Sequence, residues 1–588
     1  MFGKYFSRPS GKKFYLPGQE INVYKEFAFR KNYVCEGDPL FVCKNRMTFS
    51  VFVFLLAFSA ICVRLFNVSV LPNLRKHQET IIATAIESDV VSFDKKPIKR
   101  ADIVDRNGTI IATSLPTANL FAHPKKISEP NIAAAKLSEV LPDLRYEDIL
   151  AKLAGKTNFV YIKRNLSPSQ QYHINALGIP GLEFEIGEKR VYPHKNLFAH
   201  LIGITNVDNA GISGIEKEMD ERLTQSDIPL TLSIDIGVQD TIRDILKDAV
   251  KKFHALGGSV ILMDASNAEI LSMVSLPDFD PNTMGKISDQ ALFNFPTKGV
   301  YEPGSVFKIF NTAMGLESGK IKVSDSFDAT QPLKLRYNTI KDYRGENRWL
   351  SVQEILIHSS NIGSAQIALR VGKKNQQDFM GRLGFLDPLE IELAEKAQPL
   401  TPHRWGEETV ATVAYGYGIS VSPLHVATAF SSIINGGLYR QPTFIKGKNK
   451  TTEVNRVIST STSKSMRKLL RTVVVEGSGK KANIPGFEVL GKTGTANKLS
   501  ANGRYVDKKV FATFVSAFPA SSPKYTLLVM LDEPKATEET FGFVTSGWNS
   551  VPTSGKIIEA IAPQLNLKAN YDLDELRKNR IFEASFRD

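Results

Sequence analysis

The sequence contains very little cysteine. Of its 588 residues, three are cysteines, Cys35, Cys43 and Cys62, and none follows residue 62. A disulfide framework is therefore excluded for the long remainder of the chain. Clusters of one charge sign are also missing, because the 74 Lys and Arg residues are spread among 61 Asp and Glu residues. Without basic patches interleaved with aromatics, the net charge of +13 does not indicate a nucleic-acid-binding module.

One long apolar run is present near the N-terminus. Residues 47–71 are almost entirely apolar, and Arg64 near the far end can extend towards the interface, so the run predicts one transmembrane helix. More than forty residues precede it and no small-residue cleavage site follows, which favours an uncleaved anchor over a signal peptide. Residues 1–46 carry more basic than acidic side chains. This asymmetry predicts a cytoplasmic tail and export of the remainder.

The exported part is long enough for more than one domain, and its pattern predicts an α+β fold. Residues 72–230 mix short strands and helices, with a hairpin turn predicted at Asp105–Gly108. We interpret this region as a pedestal that offers surfaces to partners; a plain structural module is the alternative. Residues 231–566 are predicted to form a second domain, an antiparallel sheet packed between helices. Residues 567–588 form a polar C-terminal tail.

A serine and a lysine stand three residues apart at Ser305 and Lys308. The turn residues Tyr301–Gly304 precede them and an apolar helical pattern follows, which predicts Ser305 at a helix N-terminus. Unpaired N–H groups and the helix dipole favour negative charge there, and Lys308 faces the same side one turn later. Apolar surroundings predict a lysine with a lowered pKa, suited to a general base. The alternative is a capping serine with a solvated lysine.

The same spacing recurs three times further along the chain, at Ser461/Lys464, Ser465/Lys468 and Ser478/Lys481. These copies lack the preceding turn and the following apolar helix. We interpret them as accidental matches to a weak pattern.

Two further short motifs follow in order. Ser359-Ser360-Asn361 comes after a short helical pattern and is predicted to project polar side chains into a cleft; an ordinary polar loop is the alternative. Lys492-Thr493-Gly494-Thr495 lies in a predicted strand over residues 487–495. Its period of two places Thr493 and Thr495 on one face, with Lys492 pointing away or reaching beneath the strand. Gly494 would allow close approach of a substrate backbone.

A phosphate-binding pattern overlaps the third motif. Gly486, Gly491, Lys492 and Thr493 satisfy G-x-x-x-x-G-K-[ST]. A P-loop must follow a buried strand and open a helix, and neither flank here has that pattern. We therefore reject a nucleotide-binding interpretation.

With these motifs in this order, the chain resembles the class B penicillin-binding proteins, most closely the division-specific peptidoglycan D,D-transpeptidases of the FtsI type. The resemblance covers nearly everything after the tail. Further matching segments are Arg190–Pro193, His200–Gly203, Gly214–Glu216, Tyr301–Ser305, Tyr415–Val421 and Gly491–Ala496.

The resemblance implies a serine acyl-enzyme mechanism. Ser305, deprotonated by Lys308, would attack the carbonyl between two terminal D-alanines of a peptidoglycan stem peptide. Ser359, held by Lys308 and Lys492, would pass a proton to the departing amine, and Asn361 would position the substrate. Thr493, Gly494 and Thr495 would bind substrate, with the two threonines on the terminal carboxylate. An amine of a second stem peptide would complete the cross-link, and a β-lactam would trap Ser305. No metal or cofactor is implied.

The resemblance also implies a cellular setting. The catalytic domain would be periplasmic, anchored in the bacterial inner membrane at the division site, beside a membrane glycosyltransferase of the SEDS family and other divisome proteins. Two alternatives share the motifs: a hydrolytic relative such as a D,D-carboxypeptidase or serine β-lactamase, and a silent β-lactam receptor or division scaffold. Spacing and composition do not distinguish division from elongation, nor do they identify the acceptor amine.

Overall fold

The computed structural model describes residues 51–62, 64, 99–283, 285, 287–450, 454–500 and 505–570. The predicted tail 1–46, most of the predicted span 47–71, and residues 571–588 of the predicted tail 567–588 lie outside these residues. Residues 51–62 are helical and exposed. Among the residues that the structure describes, no helix combines the length and the apolar character that crossing a membrane requires.

Within the described ranges, the strands fall into two five-stranded sheets and three short pairs. Their bounds are β1 Ile103–Val104, β2 Ile110–Ala122, β3 Val160–Leu166, β4 Leu182–Val191, β5 Leu230–Thr231, β6 Gly257–Asp264, β7 Ile270–Leu276, β8 Ser326–Asp328, β9 Leu333–Lys334, β10 Thr339–Ile340, β11 Trp349–Ser351, β12 Leu438–Tyr439, β13 Asn455–Arg456, β14 Leu490–Leu499, β15 Tyr505–Phe518 and β16 Tyr525–Asp532.

The helices are concentrated around the second sheet. Their bounds are α1 Pro130–Val140, α2 Tyr146–Leu153, α3 Pro168–Ala176, α4 Ala199–Ile202, α5 Gly214–Glu218, α6 Asp220–Gln225, α7 Ile236–Lys252, α8 Asp289–Leu292, α9 Phe295–Lys298, α10 Phe307–Glu317, α11 Val352–Ile357, α12 Asn361–Val371, α13 Lys373–Arg382, α14 Glu407–Val413, α15 Pro423–Ile434, α16 Thr460–Val475 and α17 Ser550–Ile561. The mixture of helices and mainly antiparallel strands confirms the predicted α+β class.

The first sheet has the order β3-β2-β1-β5, with β4 also paired to β2. Residues 105–109 connect β1 to β2 in an antiparallel pair, as the Asn-Gly turn predicts, and Gly108 has a φ of 90° that suits glycine. Strand β5 pairs in parallel with β1 through Ile103 and Leu230. Thr231, the first residue of the predicted second domain, therefore completes a strand of the first sheet.

A buried ion cluster joins elements of this first region. The Glu216 carboxylate accepts hydrogen bonds from Nε of Arg100 and Nε of Arg190, both at 2.7 Å. All three side chains are at most 2% exposed. Burial of charge is tolerated only when the charges are paired and hydrogen-bonded, so this cluster depends on all three members.

The second sheet has the order β14-β15-β16-β6-β7, and every neighbouring pair is antiparallel. Successive side chains along its strands point to opposite faces of the sheet, and both faces are apolar. Ile261 and Met263 belong to a core shared with α15 and α16, whereas Val260 and Leu262 pack in a core with α7 and α17. Strand β14 is at the edge of this sheet, and the site is built against it.

Candidate active site

The segment around Ser305 forms a tight entry into a buried helix. Gly304 has a φ of 57°, in the left-handed region, and residues Gly304–Val306 form a 3₁₀ turn that continues into α10. Ser305 is thus in the first turn of a helical segment, and Lys308 follows one turn later. The Nζ atom of Lys308 lies 2.9 Å from Oγ of Ser305. A serine hydroxyl and an amine at this distance can exchange a proton.

Lys308 is fully buried. Burial lowers its pKa well below the usual range, and repulsion from Lys492 lowers it further, while Asp342 acts in the opposite direction. The apolar helix pattern predicts this environment. A lysine with a lowered pKa gives up its proton more readily than a solvated lysine, which suits it to act as a general base.

Ser359 stands between the two buried lysines. The Nζ atoms of Lys308 and Lys492 each lie 3.1 Å from its Oγ, and Lys308 also donates to its carbonyl oxygen at 2.5 Å. Ser359 has a φ of 58°, a left-handed conformation that is uncommon for a residue other than glycine. Such strain is kept where the surroundings fix it, and here the contacts of the two lysines fix it.

The rest of the second motif begins helix α12. Ser360 is the N-cap residue, and its Oγ accepts a hydrogen bond from the Gly363 N–H at 3.0 Å. Asn361 is the first helical residue, and its Nδ2 donates to the carbonyl of Lys341 at 3.0 Å. Ser359 and Ser360 lie in the short polar turn between α11 and α12, and Asn361 begins α12 at the cleft.

Sequence reasoning missed Asp342. Its carboxylate accepts hydrogen bonds from Oγ of Ser360 at 2.7 Å, from the Asn361 N–H at 2.5 Å and from the Ile362 N–H at 3.0 Å. A carboxylate is stabilised at a helix N-terminus by unpaired N–H groups. Asp342 lies in a loop 18 residues before Ser360, and no local pattern relates the two positions.

The third motif lies in β14, which begins at Leu490 and ends at Leu499, later than the predicted 487–495. Lys492 is fully buried beneath the strand, and burial lowers its pKa to about 7. The lysine and threonine of the phosphate-binding pattern thus lie inside a strand rather than at the start of a helix, which excludes a P-loop.

Thr493 and Thr495 lie on the opposite side of β14 from Lys492, and both line the cleft. The hydroxyls of Thr493 and Ser478 are 2.6 Å apart, and Thr495 Oγ1 accepts a hydrogen bond from the Ser546 N–H at 3.2 Å. Neither Ser546 nor Ser478 is indicated as a cleft residue by any local sequence pattern, yet both line the cleft. Ser478 lines the cleft through its contact with Thr493, not through its spacing to Lys481.

Packing within the protein requires a glycine at position 494. A Cβ atom added there would lie 2.7 Å from Cγ2 of Val306 and 2.8 Å from the carbonyl oxygen of Pro303. Both atoms belong to the turn that carries Ser305. The close approach seen at Gly494 is thus between β14 and the Ser305 turn.

These residues line a cleft of about 1200 Å³. Its described lining includes Ser305, Ser359, Asn361, Thr493 and Thr495, while Lys308 and Lys492 lie beneath its floor. Ser461 and Ser465 lie on α16, outside this lining. The structure therefore brings all three predicted motifs to one place.

Two family models match the chain. The model of the penicillin-binding protein dimerisation domain matches residues 95–227, and that of the penicillin-binding protein transpeptidase domain matches residues 258–546. The probable peptidoglycan D,D-transpeptidase FtsI of Caulobacter vibrioides is 37% identical over 487 residues, covering 81% of this chain and 82% of the relative. The chain belongs to the FtsI family of penicillin-binding proteins.

A second relative and a solved structure are also similar to this FtsI-family chain. The peptidoglycan D,D-transpeptidase FtsI of Escherichia coli is 29% identical, covering 80% of this chain and 84% of the relative. The crystal structure of penicillin-binding protein 3 from Mycobacterium tuberculosis, complexed with aztreonam, is 22% identical with a TM-score of 0.63, covering 81% of this chain and 98% of that chain. The family resemblance and the two-domain architecture predicted from the sequence are confirmed.

Proposed function

We propose that this chain cross-links peptidoglycan stem peptides during septal wall synthesis, as a serine-type D,D-transpeptidase that works through an acyl-enzyme on Ser305. The family assignment agrees with this activity. The observation that carries the residue assignment is the 2.9 Å separation between Oγ of Ser305 and the Nζ of a fully buried Lys308. A nucleophile beside a desolvated base has what acyl transfer needs.

Acylation would begin with proton transfer from Oγ of Ser305 to Nζ of Lys308. The oxygen attacks the carbonyl carbon between the two terminal D-alanines, and the carbonyl oxygen becomes an oxyanion. The backbone N–H groups of Ser305 and Thr495 are the proposed donors to it. Each such donor is worth about 3–4 kcal/mol of barrier.

The departing amine needs a proton before the C–N bond breaks. Ser359 is the proposed relay, because its hydroxyl lies 3.1 Å from both Lys308 and Lys492. D-Alanine then leaves, and an ester remains on Ser305. The amine of a second stem peptide attacks this ester, returns the serine proton and leaves the new amide as the cross-link.

Substrate binding is assigned to the walls of the cleft. Thr493 and Thr495 would bind the terminal carboxylate, with the charge of Lys492 beneath them, and Asn361 would hold the substrate backbone from the opposite wall. An edge strand such as β14 offers unpaired backbone groups to an extended peptide. A β-lactam that imitates the D-alanyl-D-alanine end would leave Ser305 as a slowly hydrolysed ester.

The cellular setting is also part of the proposal. Residues 47–71 would anchor the chain in the inner membrane with residues 1–46 in the cytoplasm, because the apolar run and its flanking charge have that pattern. Residues 72–230 would form a pedestal between the membrane and the periplasmic catalytic domain at 231–566, followed by a polar tail. A SEDS-family glycosyltransferase and other divisome proteins are the proposed partners.

The activity can be tested by supplying a peptide that ends in D-alanyl-D-alanine together with an amine acceptor. We expect release of D-alanine and formation of the cross-linked product, both lost in Ser305→Ala. Release of D-alanine with water as the only acceptor would support the carboxypeptidase alternative. No release by correctly inserted wild-type protein would contradict the mechanism.

A further inference from the structure

Basic side chains surround the cleft, and nothing in the mechanism above uses them. They come from four separate segments and all are exposed; they are Lys341 and Arg344, Lys480 and Lys481, Lys508 and Lys509, and Lys535. Among the described lining residues, the one acidic side chain is Asp342. Its carboxylate already accepts three hydrogen bonds at the start of α12. The mouth of the cleft therefore has an excess of positive charge, which favours anionic ligands.

Two of these lysines are placed by an irregularity in the sheet. Asn497 of β14 pairs with Val510 of β15, but Leu499 pairs with Tyr505. An advance of two residues along β14 is therefore paired with five residues along β15. The extra residues, 506–509, form a bulge in β15. Bulges next to active sites redirect side chains, and this one carries Lys508 and Lys509 into the cleft lining.

The bulge holds Lys508 in a conformation that lysine rarely adopts. Its φ is 60°, in the left-handed region where glycine or asparagine is usual. Strain of this kind at a site suggests a use for the side chain. No salt bridge within 4.0 Å involves Lys508 or Lys509 among the parts of the chain that the structure describes, whereas Lys535 lies 3.4 Å from Glu533.

The direction of the substrate decides which part of it reaches this bulge. With its terminal carboxylate at Thr493 and Thr495 and its carbonyl at Ser305, the donor peptide continues along β14 towards Asn497. An extended peptide advances about 3.3 Å per residue. The second and third residues before the cleaved bond would therefore lie beside Asn497, within reach of the long side chains of the bulge.

We propose that Lys508 and Lys509 form an anion subsite that binds a side-chain carboxylate at the second or third residue before the cleaved bond of the donor stem peptide. The proposal rests on the transpeptidase function and names a specificity that the motifs do not supply. Because both lysines are exposed, their effect is modest and falls as salt screens it.

The test uses two synthetic donor peptides that end in D-alanyl-D-alanine. One carries side-chain carboxylates at those two positions, and the other carries the matching carboxamides. The full-length chain in detergent is assayed for D-alanine release at low ionic strength. We expect wild-type kcat/KM to favour the carboxylate peptide by about three- to tenfold, as two exposed charge contacts allow. In Lys508→Gln/Lys509→Gln, the ratio should fall close to one.

The matched control is Lys247→Gln/Lys251→Gln on α7, which removes the same charge from exposed positions outside the cleft lining. It should keep the wild-type ratio. Acylation by penicillin should stay within about twofold of wild type in both variants, since neither touches Ser305.

An unchanged ratio in the bulge variant, or no preference in wild type, would overturn the subsite. A carboxylate preference that appears only when the acceptor peptide is varied would also overturn the subsite, because the proposed subsite binds the donor peptide. Loss of penicillin acylation in wild type would instead contradict the proposed function, so the two failures are distinguishable.

Discussion

The two buried lysines predict a bell-shaped dependence of acylation on pH. Burial and the neighbouring Lys492 lower the pKa of Lys308, and acylation needs Lys308 without its proton. The rate should therefore rise as pH increases through this lowered pKa. Lys492 has the opposite requirement, because its positive charge attracts the carboxylate of the ligand. Burial places its pKa at about 7, so its charge is lost as pH increases further.

The size of the fall follows from the pKa of Lys492. With a value of about 7, one half of the side chains are protonated at that pH and about one tenth are protonated one unit higher. The second-order rate constant for acylation should accordingly fall about tenfold per pH unit on the alkaline side. The assay is stopped-flow reaction with a fluorescent penicillin, between about pH 5 and pH 9 at constant ionic strength.

Lys492→Arg provides the matched variant, because arginine keeps its charge throughout this range. Its profile should retain the acidic limb and lose the alkaline fall, with thermal unfolding used to check that the variant is folded. A wild-type rate that stays level or rises on the alkaline side would refute the role given to Lys492. The same alkaline fall in Lys492→Arg would refute it equally.

Three further predictions follow from contacts that hold the site and its support. Asp342→Asn removes the charge at the start of α12, and we expect acylation about tenfold slower with a stability loss of about 1–3 kcal/mol, measured by stopped flow and urea unfolding. Gly494→Ala should push β14 away from the Ser305 turn and slow acylation about 100-fold, with an unchanged circular dichroism spectrum. Glu216→Gln removes the carboxylate that pairs with Arg190 and leaves Arg100 with Asp220 alone, and should lower the free energy of unfolding by about 3–5 kcal/mol. Its control, Glu183→Gln, affects an exposed pair with Lys126 and should change that energy by less than about 1 kcal/mol. Wild-type behaviour in any of the three variants would contradict the corresponding contact.

The parts of the site that the sequence predicted are those set by local periodicity. Ser305 and Lys308 face each other because three residues make nearly one helical turn. The alternation in β14 places Thr493 opposite to Lys492 for an equally local reason. The short apolar runs Ser259–Asp264 and Phe514–Phe518 form parts of β6 and β15, because apolar runs of that length suit a buried sheet.

The parts that were missed depend on contacts between distant segments. Asp342 reaches Ser360 across 18 residues, and Ser478 reaches Thr493 across 15. Neither carries a local signal, since aspartate and serine are common in loops. Acidic side chains are usually exposed, so the sequence does not predict the burial of Glu216. Its pairing with two buried arginines accounts for that burial. The left-handed Ser359 likewise departs from the residues expected at positive φ.

The most direct test of the acyl-enzyme mechanism is fluorescent penicillin labelling of membranes that contain the full-length chain. Wild type, Ser305→Ala, and the control variants Ser461→Ala and Ser465→Ala would be compared, because the controls alter serines with the same spacing to a lysine outside the cleft. We expect label on wild type and both controls and none on Ser305→Ala. Label retained by Ser305→Ala, or absent from correctly inserted wild type, would contradict the assignment of Ser305 as the nucleophile.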